Sequence, residues 1–255
     1  MYKAVVFFDL DGTLLDSTKH VQASTLNALT SLRDNHVLPV ISTGRNLLMI
    51  SDIMRVTGVK TVICSNGSYI QYHHKVLNTI TIPNAILQKL SLMTIKHQDA
   101  ISFQTQHQVV LNQSTPLTVA NYEHFNVDPP IQANFYQNHP INFVNLFTDK
   151  LDRYYINQFK GELHIVRNSP YCLDVMKSGV SKQLGVQILL KKLHLENVPT
   201  YAFGDGMNDI NMFNEVDYSV AMGNALAPCK ANGSFITDTN NRNGIAKGLK
   251  HYALI

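Results

Sequence analysis

Residues 4–13, Ala4-Val5-Val6-Phe7-Phe8-Asp9-Leu10-Asp11-Gly12-Thr13, read as a buried strand that runs straight into two carboxylates. Five apolar residues in a row without polar alternation indicate a strand covered on both faces, as in a parallel sheet flanked by helices. Two acids directly after such a strand are costly to fold unless a cation or hydrogen bonds compensate them. Each isolated aspartate has a pKa of about 3.9, and like charges this close push one of the two upward. That separation suits one nucleophile and one proton carrier. A polar turn, in which Asp11-Gly12 supplies only a positive φ, is the alternative at this point.

Outward from this stretch, the pattern repeats. Val21, Thr25, Ala28, Leu29 and Leu32 recur at helical spacing, Val37–Ile41 reads as a strand, Leu47 to Val56 as a helical run and Thr61–Cys64 as a third strand. From about Ser68 the texture changes. Ser68–Tyr72 and Val76–Ile80, split by His73-His74-Lys75, look like a hairpin, and the stretch from Pro83 to Val175 is rich in Asn, Gln, Thr and His. Within them Ala85–Lys96 and Lys150–Phe159 are helix candidates, and Ala100–Phe103 and Val109–Leu111 are short β-prone pieces. The strand–helix alternation resumes with a helix over Lys182–Leu193 and a strand over Thr200–Phe203. Ile210–Phe213 then opens another helix, and Tyr218–Met222 reads as a last short strand. The fold class predicted is α/β: a doubly wound, mostly parallel sheet from residues 1–80 and 180–255, with a smaller α+β domain, residues 81–179, inserted.

Composition narrows the function. The 255 residues are 45% hydrophobic and 15% charged, and the formal charge of +3 is not gathered into a run. No dense basic stripe of the kind that meets a nucleic-acid backbone is present, so no nucleic-acid partner is expected. The apolar stretch Ala4–Phe8 is too short for a signal peptide or membrane helix, and no later segment is long enough, which predicts a soluble, cytoplasmic protein without a membrane partner. Three sparse cysteines, Cys64, Cys172 and Cys229, fit a reducing compartment, and Cys64 reads as a buried small hydrophobe. His73, His74, His97, His107, His124, His139 and His164 show no HExxH or HxH spacing and read as surface or insert residues, not zinc ligands. Phe135, Tyr136, Tyr154 and Tyr155 read as core.

Four segments fall at the C-terminal ends of strands or the starts of helices, the edge where open α/β sheets bind ligands. The first holds Asp9 and Asp11. Ser42-Thr43-Gly44-Arg45 offers a hydroxyl and open backbone N–H groups suited to phosphate, or simply a helix N-cap. Arg45 reads as a brace for that loop. Lys182, after Gly179-Val180-Ser181, sits in a first helical turn at the unfavourable end of the dipole, which makes sense if it faces anions; a solvent-facing lysine is the alternative. Gly204-Asp205-Gly206-Met207-Asn208-Asp209 offers oxygen ligands to a hard cation, or a plain strand-to-helix turn.

Taken together, the four segments resemble the motifs of the haloacid-dehalogenase superfamily, specifically the Cof-type hydrolases with a C2-type cap. FFDLDGTLL is similar to its first motif, STGR to its second, SGVSK to its third and GDGMND to its fourth, while SNGSYI at 65–70 resembles the passage from core to cap. Ser42 stands where alanine is common and Gln183 where glycine often follows the lysine; neither removes a functional group. The resemblance implies a Mg²⁺-dependent phosphatase acting on a small phosphorylated metabolite. Asp9 would be the nucleophile that forms an aspartyl-phosphate, and Asp11 the acid and base. The Leu10 N–H, Thr43, Gly44, Lys182 and Asn208 would hold phosphate oxygens. Asp9, the Asp11 carbonyl and Asp205 would hold the metal, with Asp209 acting from behind them. A phosphomutase using the same intermediate, and a non-catalytic sensor of a phosphorylated ligand, are the competing functions.

Overall fold

The computed structural model describes residues 2–123, 127–167 and 169–255; His124 lies outside them. The chain divides into two compact units, Met1–Arg45 with Ile50–Asn78 and Ser181–Ile255, and Asn46–Met49 with Thr79–Val180.

The first unit begins with β1 (Ala4–Phe8), α1 (Ala23–Asp34), β2 (Val37–Ser42), α2 (Ser51–Thr57), β3 (Thr61–Cys64) and a hairpin of β4 (Tyr69–Tyr72) and β5 (Lys75–Thr79). Every residue of β1 is buried, as a strand covered on both faces requires. At the hairpin, His73 and His74 have φ of 44° and 67°, the left-handed pair that a two-residue turn between twisted strands demands. Arg33, in the last turn of α1, donates to the Thr57 carbonyl at 2.9 Å and so caps the end of α2.

The second unit contains α3 (Asn84–His97), β6 (Ala100–Gln104), β7 (Val109–Leu111), α4 (Pro116–Glu123), β8 (Phe143–Phe147), α5 (Asp152–Gln158), β9 (Leu163–Arg167) and β10 (Leu173–Lys177). Its five strands form an antiparallel sheet in the order β7-β6-β8-β10-β9. Alternation along the strands gives the sheet two different faces. Ile101, Phe103, Val144, Leu146, Leu173 and Val175 join the apolar core with Leu87, Leu90 and Tyr155. Ser102, Gln104, Asn145 and Asp174 share the opposite face, where Gln104 Nε2 donates to Asn145 Oδ1 at 2.5 Å and Asn145 Nδ2 to Asp174 Oδ1 at 3.0 Å. Phe135, Tyr136 and Tyr155 lie in the core, and Tyr154 packs against it.

The chain then returns to the first unit with α6 (Lys182–Leu193), β11 (Thr200–Gly204), α7 (Met207–Phe213), β12 (Tyr218–Ala221), α8 (Ala227–Asn232), β13 (Phe235–Ile236) and α9 (Gly244–His251). Two expectations are corrected here. The helix after β11 opens at Met207, not Ile210, because the Asp209 side chain accepts from backbone N–H groups at its start. Tyr218–Met222 is not the last strand: β13 pairs in parallel with β12, through Val220–Phe235 and Ala221–Ile236.

The sheet runs β13-β12-β11-β1-β2-β3-β4-β5, parallel from β13 to β3 and antiparallel where the β4–β5 hairpin joins it. This is a doubly wound α/β core. β1 lies between β2 and β11, with Phe8 opposite both Ile41 and Phe203, and the Phe8 and Phe203 rings stack with centroids 5.2 Å apart. Cys64, Cys172 and Cys229 are free thiols, all buried. Among the described residues, no helix is long and apolar enough to cross a membrane.

Candidate active site

From β1 the chain proceeds through β2 and β3 to one side, whereas β11, β12 and β13 lie on the other. Loops leaving the carboxyl ends of β1 and β11 therefore part in opposite directions, which opens a crevice at the switch point. Asp9 follows β1, Thr43 follows β2 and Asp205 follows β11, so three of the four motifs arrive at this edge by strand order alone.

Lys182 joins them from α6. Ser181 caps that helix, its Oγ accepting from Leu184 N at 3.2 Å, and Lys182 is the first helical residue. Its side chain is wholly buried, with Nζ 2.5 Å from Asp9 Oδ1 and 2.7 Å from Asp209 Oδ1. Asp209 uses its other oxygen to accept from the N–H groups of Asp205 at 3.0 Å and Gly206 at 2.9 Å. Thr13 Oγ1 donates to Asp205 Oδ1 at 3.1 Å. One ammonium is thus set among three carboxylates.

The imbalance appears in their protonation. Burial, followed by repulsion from Asp209, pushes the Asp9 carboxyl well above its ordinary range despite Lys182. Burial and Asp209 also push Asp205 up to about 6. For Lys182, burial works against the charge, but Asp209 and Asp9 outweigh it and the pKa rises. Carboxylate oxygens of Asp9, Asp205 and Asp209 lie within 4.8 Å of one another. An all-oxygen donor set with surplus negative charge fits a hard divalent cation. Asp209 has both oxygens engaged and no exposure, so Asp9 and Asp205 are the carboxylates left to face an ion. None of the described histidines joins this group.

Asp11 points to different partners. Arg45 grips it with Nε on Oδ2 at 2.8 Å and Nη2 on Oδ1 at 2.5 Å, and Lys19 Nζ reaches Oδ1 at 2.9 Å. Burial would raise the Asp11 carboxyl, but Arg45 and Lys19 outweigh it and hold the pKa low. The two acids of the first motif are therefore shifted in opposite directions. Lys19 is delivered by a tight turn in which Asp16 Oδ1 accepts from Thr18 N, Thr18 Oγ1 and His20 N.

Beyond β2, the STGR hydroxyls do not cap α2, which starts only at Ser51. Thr43 is buried; its N–H donates to Ile63 O at 2.8 Å, and its Oγ1 accepts from Arg45 N at 3.1 Å. The hydroxyl proton is left for another acceptor. Gly44 lies against Asn66, and a Cβ on Gly44 would stand 3.3 Å from Asn66 Oδ1. Asn208, in the first turn of α7, donates from Nδ2 to the same Asn66 oxygen at 3.3 Å. Leu10 is fully buried, and its carbonyl accepts from Leu15 N at 2.9 Å. The structure thus brings Asp9, Lys182, Asp205 and Asp209 into one cluster and places Gly44 and Asn208 about Asn66. Sequence reasoning assigned no role to Asn66, Lys19 or Thr13. Asp16 and the Asn66-Gly67 pair, residue types that favour turns, are the signals that could have pointed to them.

A family model for haloacid dehalogenase-like hydrolases matches residues 6–249, nearly the whole chain. The chain belongs to that family. Within it, this hydrolase is of the Cof type. It is 27% identical over 252 residues to the 5-amino-6-(5-phospho-D-ribitylamino)uracil phosphatase YcsE of Bacillus subtilis (strain 168), covering 98% of this chain and 96% of that one. Among solved structures, a hypothetical protein of Geobacillus kaustophilus HTA426 superposes on this hydrolase with a TM-score of 0.92 at 30% identity, over 100% of both chains. The HAD subclass IIB sugar phosphatase BT4131 gives a TM-score of 0.87 at 26% identity, covering 98% of this chain and 99% of that one.

Proposed function

We propose that this hydrolase is a Mg²⁺-dependent phosphatase of a small phosphorylated metabolite, working through an aspartyl-phosphate on Asp9. The class, phosphoric monoester hydrolase, follows from the family and its phosphatase relatives. The observation that carries the rest is the contact of Lys182 Nζ with Asp9 Oδ1 at 2.5 Å, beside Asp205 at the switch point. An ammonium there favours the ionised, attacking form of Asp9 against the burial that raises its pKa, and it lies where the oxygens of an incoming phosphoryl group would gather.

Asp9 and Asp205, with the Asp11 carbonyl, would hold Mg²⁺, which when bound supplies charge neutralisation to the transferring phosphoryl group. Asp209 would fix Lys182 and the Asp205 loop. The Thr43 hydroxyl, the Gly44 and Leu10 N–H groups and Asn208 would bind the remaining oxygens. Asp11, which Arg45 and Lys19 hold ionised in this arrangement, would take a proton from the attacking water, and it would have to bind a proton first to serve the leaving oxygen as acid. Residues 81–179 would choose among substrates. The subclass IIB sugar phosphatase among the structural neighbours supports a sugar phosphate or similar small ester. Three buried free thiols suit a reducing, cytoplasmic setting.

A phosphate-release screen over phosphorylated metabolites with Mg²⁺ tests this. Release of inorganic phosphate that disappears with a chelator and in Asp9→Asn is expected. Conversion of a sugar phosphate to an isomer without phosphate release would replace the phosphatase by a phosphomutase.

A further inference from the structure

Ser65-Asn66-Gly67 has no part in the chemistry above, yet all three residues are left-handed, with φ of 52°, 50° and 102°. Any residue with a Cβ is disfavoured there, and such a run persists only where its surroundings over-determine it. The surroundings are specific. Ser65 N donates to Arg45 O at 2.9 Å, and Asn66 N to Thr43 O at 3.0 Å. Gly67 approaches α6 so closely that a Cβ would stand 2.2 Å from the carbonyl oxygen of Ser181, the residue that caps the helix at Lys182. The Asn66 side chain is buried, beside Gly44 and hydrogen-bonded to Asn208. One strained turn therefore touches the loop after β2, the start of α6 and the first turn of α7. Those are three of the four segments assigned to phosphate oxygens, the loop after β1 being the fourth.

We infer that Asn66 is a positioning residue for the phosphoryl site, its carboxamide oxygen orienting the Asn208 amide toward the phosphate. The inference rests on the phosphatase reading. Backbone strain serves this purpose because a left-handed Asn66 sends its side chain toward α7 while its N–H stays bound to Thr43.

Asn66→Gly separates side chain from backbone, since glycine accepts the left-handed conformation without penalty. This variant is expected to melt like the wild type while its KM and its inhibition constant for inorganic phosphate rise roughly tenfold, the worth of one well-placed hydrogen bond. Its kcat on an aryl phosphate is expected to change less. Because Asn66 acts through Asn208, adding Asn208→Ala to Asn66→Gly is expected to cause no further loss. Should Asn66→Gly melt early, Asn66→Asp carries the test: it keeps an acceptor for Asn208, so Asn208→Ala must still weaken phosphate binding in that background. An unchanged phosphate inhibition constant in Asn66→Gly, additive losses in the double variant, or no effect of Asn208→Ala beside Asn66→Asp overturns the positioning role. A wild-type protein that neither binds phosphate nor releases it from any ester overturns the phosphatase reading itself.

Discussion

Lys182 and Asp209 are both without side-chain exposure, and the Lys182 ammonium lies 2.7 Å from Asp209 Oδ1 while also touching Asp9. A lysine at the first position of a helix gains nothing from the dipole, so its burial there is held by these two carboxylates. Removing the cation leaves buried acids facing one another. Lys182→Met is therefore expected to lose activity and to cost about 3–5 kcal/mol of stability near neutral pH, as breaking a buried pair does. Part of that loss should return in acid, where Asp9 and Asp205 take up protons. Denaturant melts at two pH values check it; an equal loss at both would contradict it.

The raised carboxyls also link stability to metal. A carboxyl whose folded pKa is raised stabilises the fold below its ordinary pKa, and that contribution is lost as pH rises through the folded value, about 6 for Asp205. Asp9 is shifted in the same direction. A bound cation offsets the penalty once the protons have left. The rise in Tm produced by Mg²⁺ is thus expected to be larger at about pH 7.5 than at about pH 5. Thermal melts with Mg²⁺ and with chelator at each pH measure it, and a pH-independent shift would count against Asp205 as a ligand.

Gly12 has a φ of 78°, and a Cβ there would stand 2.3 Å from Asp205 Oδ2. Gly12→Ala forces both a left-handed alanine, roughly 1–2 kcal/mol, and a displacement of the Asp205 carboxylate. The variant is expected to fold less stably and to require more Mg²⁺ for half-maximal activity. A Mg²⁺ titration that matches the wild type would show that the Asp205 position is not critical.

Arg45 and Lys19 hold the Asp11 pKa below its ordinary value against burial, with Arg45 the larger influence. Without Arg45, the Asp11 carboxyl should rise. If Asp11 is the base proposed for dephosphorylation, that step needs its ionised form, so the acidic limb of the pH–rate profile is expected to move to higher pH in Arg45→Met and, by a smaller step, in Lys19→Met. Profiles with an aryl phosphate read this directly; a limb that stays put in both variants removes Asp11 as the base.

Much of the core was legible in the residues because burial on both faces leaves an unbroken apolar run. Ala4–Phe8, Thr61–Cys64 and the Lys182–Leu193 helix have the bounds that their patterns indicate. β8 and β10 were missed because each puts polar residues, Asn145 and Asp174, on a buried face, where alternation suggests an exposed one. β13 has only two residues, too few for any period. At the site, the motif residues stood out by type and position, but Asn66 did not. Its left-handed φ is one that asparagine adopts more readily than most residues, but the residue type does not show which loops such a turn will touch. Lys19 reaches Asp11 through a turn whose hydrogen bonds, not its composition, set the direction.

The assignment of Asp9 as nucleophile meets its most direct test in an acid quench of Asp11→Asn during turnover of a nitrophenyl phosphate with Mg²⁺. An aryl leaving group departs without a proton from Asp11, whereas release of the phosphoryl group needs the missing base, so the covalent form should accumulate. Peptide mass analysis is expected to find one phosphoryl group on the peptide that contains Asp9, formed together with a burst of nitrophenolate and absent when Asp9→Asn is added. A burst with no phosphoryl group on Asp9, or undiminished turnover in Asp9→Asn, would contradict the account.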